Sequence, residues 1–284
     1  MANEESLPIK IPDVLFQYCG GNAVEIFEKR RIKSSIPSTL NDPFEWKPSV
    51  DEDVAPEQIW NTMTKLHRKS PLPKPPTRLV VAKMKSNVPD AAQRHQAQFG
   101  TDLEHHTRII CLSHRNDGIL MWAHYADRHK GFVVGFRSEL LRRNHPHSEF
   151  LKVHYGLQRP LVPHPYVAPP DKDQLITAVS QKSLEWKYEE EWRLLINVTH
   201  LRRDQDPANT NLYLPIPPEA IDQVIFGSRC SDPLVSRIET ALESTPGFNR
   251  IRRFKARLDP RLFRILVEKP WGAAMEQGGR PLRA

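Results

Sequence analysis

Short apolar runs separated by turn residues pattern this chain, and their periods predict strands and helices in mixed order. The run 14-VLFQYC-19 closes on Gly20-Gly21 and predicts a strand. Asn22 then suits the N-cap of a helix 23-AVEIFEKRRI-32, with Val24, Phe27 and Ile32 roughly at helical spacing. Loop 34–48 carries Pro37, Pro43 and Pro48 and holds 41-NDPFE-45. A helix follows at 56–69, opened by Pro56 with Ile59, Met63 and Leu66 on one face. The proline-rich 71-PLPKPPTR-78 is expected to be extended, and weak helical signals return near 88–99.

The second half is clearer. 107-TRIICLS-113 predicts a strand; Asn116 or Asp117 caps a helix 118–129 that Gly131 ends; 132-FVVGF-136 and 149-EFLKVHY-155 predict strands. Five prolines make 157–170 a rigid surface crossing before a helix at 172–185 with Leu175, Val179 and Leu184 inward. Strands are expected at 190–198, 221–227, 250–257 and 262–268, and a helix at 233–244 with Ser231 as cap and Pro233 in its first turn. Strands and helices do not alternate regularly, so the expected fold is α+β, a mixed, mostly antiparallel sheet with flanking helices. The expected organisation is a flexible lead at 1–13, a single domain at 14–270 and a disordered tail at 271–284.

Composition narrows the class. The longest apolar runs, such as 119-ILMW-122 and 194-LLI-196, fall far short of the roughly 20 residues of a membrane helix. The acidic start MANEESLPIK does not read as a secretory signal, so a cytoplasmic protein is expected, with no membrane partner. Three cysteines, Cys19, Cys111 and Cys230, lie far apart without metal-knuckle spacing and read as free thiols. The formal net charge of +7 makes nucleic acid a candidate partner, with basic clusters at 29-KRRIK-33, 202-RR-203 and 250-RIRRFKAR-257. Solvated basic faces explain the same clusters. No G-x-G-x-x-G turn or P-loop pattern is present.

Three segments carry candidate chemistry. In 188-YEEEWR-193, strand alternation puts Glu189, Glu191 and Arg193 on one face and Glu190 on the other. Such groups are costly to bury unpaired, which suggests either a polar cleft floor or an exposed strand with a local ion pair. In 121-MWAHYADRHKG-131, Met121, Trp122 and Tyr125 share a helical stripe with Ala126 and His129, and His124 lies off it. That stripe suits a ligand-facing helix, or core packing of Trp122 beside a partly buried His124. The five-residue step from His124 to His129 is poor for one metal, so no metal is expected. In 41-NDPFE-45, Asn41, Asp42 and Glu45 are functional candidates, or the segment is a turn that stacks Phe44 on the core.

Together these segments resemble a widespread bacterial family, the domain of unknown function numbered 2971. The likeness rests on 15-LFQYCG-20, NDPFE, 111-CLS-113, the MWxHYAxxHKG segment, 132-FVVGF-136, 153-VHY-155, 186-WKYEEEWR-193 and 227-GSRC-230, and runs from about 14 to 268. The family pattern is in turn similar to ADP-ribosyltransferase-like folds, including phage-defence proteins and toxins. That resemblance implies NAD as co-substrate and a macromolecular acceptor. Glu191 and Glu189 would orient the ribose and stabilise an oxocarbenium-like charge, with His124 beside them. Tyr125 or Tyr18 would stack on nicotinamide, Arg193 would meet the pyrophosphate, and Trp122, Asn41 and Asp42 would complete the binding face. The first strand carries Gln17-Tyr18 where better-known transferases have His or Arg. Two alternatives stay open: a non-catalytic ligand- or nucleic-acid-binding module, and a nuclease in which Glu189, Glu191 and Asp42 hold a metal.

Overall fold

The computed structural model describes residues 10–69 and 77–268. Most of the expected lead at 1–13, most of the proline-rich 71–78 and all of the tail at 271–284 lie outside the described residues. The described chain gathers into two compact units: residues 10–34, 109–152 and 187–268 form the first, and 35–69, 77–108 and 153–186 the second.

The first unit is built on an eight-stranded sheet. Its order is Ile265–Glu268, Arg252–Leu258, Ile221–Phe226, Phe132–Arg137, Val14–Cys19, Thr107–Ser113, Glu191–Asn197, Glu149–Lys152. Ile221–Phe226 and Arg252–Leu258 run parallel, with the helix Asp232–Ser244 between them in sequence. Their neighbours in the sheet, including Val14–Cys19 on Phe132–Arg137, pair antiparallel. The α+β class expected from the irregular element order is therefore the observed one. A near-continuous apolar strand marks the middle of a sheet covered on both faces. Phe132, Val133, Val134 and Phe136 have no exposed surface, and each such burial contributes about 1.5–3 kcal/mol. One face packs Leu15, Phe27, Trp192, Ile238 and Phe248; the other packs Tyr18, Trp122, Val133 and Ile225.

The second unit packs Val50, Ala92, Phe99, Val162 and Ala178 in one cluster and Val54, Ile59, Val81 and Val88 in another. Helices Pro56–Lys69, Arg78–Ser86 and Val88–Glu104 surround two small parallel pairs, Ser49–Val50 with Leu161–Val162 and His154–Gly156 with Gln181–Ser183.

Several boundaries differ from expectation. The helix expected at 23–32 is a 3-10 turn, Gly21–Val24, then one turn, Glu25–Glu28. Arg30 adopts φ +52 and ends it, and Arg31–Lys33 becomes a strand on Leu212–Pro215. Ile32 is buried through that strand rather than through a helical face. The helix expected at 118–129 stops at Tyr125, because Asp127, Arg128 and His129 all take positive φ. None of the expected side-chain caps Asn22, Asn116, Asp117 and Ser231 makes a capping bond: Gly20, Gly118 and Ser231 hold the cap positions without one. The stretch 149–155 is two strands in different units. The helix expected at 172–185 ends at Ser180, leaving Leu184 39% exposed. Leu66 is also exposed, and the helix Arg78–Ser86, capped by Thr77, carried no clear sequence signal.

Candidate functional site

The strand Val14–Cys19 brings Tyr18 beneath the loop that follows Ser113. The Tyr18 hydroxyl donates to the Arg115 carbonyl at 3.0 Å and accepts the Gly118 amide at 3.3 Å. Its ring meets Trp122 edge-on at 5.5 Å, and the Trp122 indole donates to the Asn116 carbonyl at 2.8 Å. Burial, the largest influence, raises the Tyr18 pKa well above that of a free phenol. Tyr18, Trp122 and the 115–118 loop thus form one hydrogen-bonded support. Trp122 has no exposed surface and Tyr18 almost none, so both act on the site through what they hold.

The same loop is stitched to 189-EEE-191. Ser113 donates through Oγ to the Glu189 carbonyl at 2.7 Å and accepts the Arg115 amide at 3.1 Å; the His114 amide reaches the Glu190 carbonyl at 3.1 Å. Glu189 closes a 3-10 turn, Leu184–Glu189, and Glu190 sits at φ +43. Simple alternation therefore fails here, yet the outcome resembles it. Glu189 and Glu191 are each 4% exposed, while the Glu190 side chain is 41% exposed and pairs with Arg115.

Two partnerships hold the buried carboxylates. Tyr125, on the helix Ile119–Tyr125, donates its hydroxyl to Glu189 Oε1 at 2.5 Å. Arg193 donates through Nε to Glu191 Oε1 at 3.0 Å and through Nη2 to Oε2 at 3.2 Å. Arg193 has no exposed surface, so its guanidinium bonds within the protein and not to solvent. The outer rim is polar and reachable. His124 is exposed, not partly buried as the packing reading had it, with its ring 6.1 Å from Tyr188 and 6.2 Å from Tyr125. Arg115, half exposed, donates to Asp117 at 2.8 Å and to Glu190 at 3.4 Å, and the Asp117 bond raises its pKa further.

So Tyr18, Trp122, His124, Tyr125, Glu189, Glu191 and Arg193 all lie in the first unit, with Tyr125 bonded to Glu189 across 64 positions. Asn41 and Asp42 lie in the second unit. There NDPFE forms the expected turn: Asp42 accepts the Phe44 amide at 2.8 Å. Phe44, however, is 57% exposed and does not stack on the core; Trp46 is the buried ring. Asn41 is exposed, and Asp42 and Glu45 are buried. Ser113 and Arg115 are not among the candidate site residues read from the sequence, and Asp117 enters there only as a helix cap. The Ser-x-Arg-x-Asp spacing after a predicted strand was the available signal.

Several cations of the basic clusters are ion-paired where they sit. Arg31 pairs with Glu25 and Asp204, Arg252 with Asp222, Arg253 with Glu239 and Arg257 with Glu268. Among the described residues no group of three or more His, Cys, Asp or Glu side chains is arranged to hold a metal ion, and no helix is long and apolar enough to cross a membrane. None of the three cysteines is in a disulfide; burial pushes Cys19 up to about 12.

No curated protein and no solved structure matches the chain. Residues 121–194, which span the Tyr125–Glu189 contact, match the model of a family described as "Protein of unknown function (DUF2971)", and this supports the family that the motifs resemble.

Proposed function

We propose that the chain is an ADP-ribosyltransferase-like protein whose reacting carboxylate is Glu189. The observation that carries this reading is the E-x-E pair with both carboxylates buried and hydrogen-bonded, Glu189 accepting from Tyr125 and Glu191 from Arg193. A charged carboxylate kept from water is the element that stabilises a cationic ribose as a glycosidic bond breaks. Glu191, gripped on both oxygens by Arg193, serves as the anchor of the strand entrance. Glu189, facing a tyrosine hydroxyl, is the better partner for ribose hydroxyls. NAD would be the co-substrate, a macromolecule the acceptor, and the exposed His124, with the partly buried Tyr188 beside it, the rings at the rim of the site. Defence against phage, or toxicity, is the role this chemistry would serve.

A second reading is a binding module without catalysis. The same Arg193 pair favours it, because it removes one of the two carboxylates from chemistry. Incubation of the purified protein with labelled NAD and cell lysate separates the two. Label entering protein or nucleic acid, and lost with Glu189→Gln, supports the transferase. NAD left intact, with no label transferred at any acceptor concentration, leaves the binding module.

A further inference from the structure

We infer that the second unit carries its own binding pocket for a nucleotide, built around the NDPFE turn. A cavity of about 180 Å³ is lined by Asp42, Phe44, Lys47, Arg159, Lys182 and Ser183, among others. Its chemistry is asymmetric. Lys47, Arg159 and Lys182 bring three cations against the single carboxylate of Asp42.

Two of those cations are held by backbone rather than by acids. Lys47 donates to the Pro43 carbonyl at 2.8 Å, and Arg159 donates through Nε to the Lys47 carbonyl at 2.7 Å. Neither has a carboxylate within ion-pairing distance among the described residues, unlike Arg31, Arg252, Arg253 and Arg257 of the first unit. Burial lowers the Arg159 pKa, with Asp42 acting the other way. A site whose lining carries more cations than acids is matched to an anion.

The second feature is an exposed ring. Phe44 is 57% exposed at the pocket, with the Arg159 guanidinium 5.4 Å from its centroid. The Asp42 turn fixes the backbone that presents it. A ring beside a guanidinium offers a stacking platform for a planar heterocycle. Ring and cations together select a phosphorylated nucleoside, with the base on Phe44 and the phosphate near Lys47 and Arg159. Asp42 and Ser183 supply an acceptor and a hydroxyl for sugar or base edges. A cavity this small holds part of such a ligand and leaves the rest in solvent. The nucleotide can therefore be free or one unit of a single strand.

Titration of the full chain with AMP, adenosine and a single-stranded octanucleotide tests this, with wild type, Phe44→Ala, Lys47→Glu and Glu189→Gln compared. Both pocket positions are exposed, so thermal melts should match wild type. The expected result is saturable AMP binding, at least about 10-fold weaker for adenosine and about 10-fold or more weaker in Phe44→Ala and Lys47→Glu, but unchanged in Glu189→Gln. If only the octanucleotide binds, with the same losses in the two pocket variants, the nucleotide belongs to a strand. The inference is overturned if neither ligand binds at millimolar concentration. It is also overturned if binding survives both pocket substitutions or is lost in Glu189→Gln alone.

Discussion

Tyr125 donates its hydroxyl to Glu189 at 2.5 Å, joining the end of a short helix to the entrance of a central strand across 64 positions. Tyr125→Phe should remove this bond while keeping the ring. The expected cost is about 1–2 kcal/mol, read as a shifted urea midpoint with unchanged slope. If transfer of ADP-ribose is detected, the same variant should also slow it. An unshifted midpoint with full activity would show that the contact matters to neither.

Glu189→Gln keeps an acceptor for Tyr125 and removes the charge. The expected loss of NAD-dependent labelling is about 10²-fold, with melting close to wild type. Full labelling by this variant would sink the assignment of Glu189.

Glu191→Gln behaves differently because Arg193 is fully buried against it. Removing one charge of a buried pair should destabilise by about 3 kcal/mol. Replacing both together, Glu191→Met with Arg193→Met, should recover part of that loss. A single variant as stable as wild type would mean that the pair is not a structural anchor.

Acid should weaken the first unit through His129. Its pKa is lowered, first by burial and then by Arg229, and its ring stacks on Trp122. The unfolded chain therefore takes up the proton more readily. Stability from this residue is complete above about pH 6.5 and falls as the pH drops below that value. Urea midpoints at pH 7.5 and 5.5 should differ, and His129→Asn should narrow the difference. An equal gap in both proteins would assign the acid sensitivity elsewhere.

The sheet was legible because its central strands are buried on both faces, and an apolar run such as 132-FVVGF-136 admits few other placements. The short helices were less legible. Their ends are set by positive-φ residues such as Arg30 and Asp127, whose identity carries no glycine signal. In the site, the acids and the tyrosine could be named from their motifs. What they bond to could not, because Glu190 takes a positive φ that breaks the strand alternation by which their directions are read. The cation pocket left almost no trace, since Lys47 and Arg159 lie singly in segments dominated by turn residues and Lys182 in a stretch that reads as helix.

The three left-handed residues after Tyr125 carry a consequence for how this chain can change. They turn the backbone so that the Gly131 amide returns to the Ala126 carbonyl, while the His129 and Gly131 carbonyls receive the amides of Arg229 and Gly227. A side chain at Gly131 would lie 2.0 Å from the Cys19 carbonyl oxygen, and one at Gly227 would lie 2.2 Å from that of His129. Three distant stretches therefore share one clasp with no slack. Inserting or deleting a single residue between Ala126 and Gly131 would unhook 227-GSRC-230 from this turn, so length here is under tighter restraint than side-chain identity.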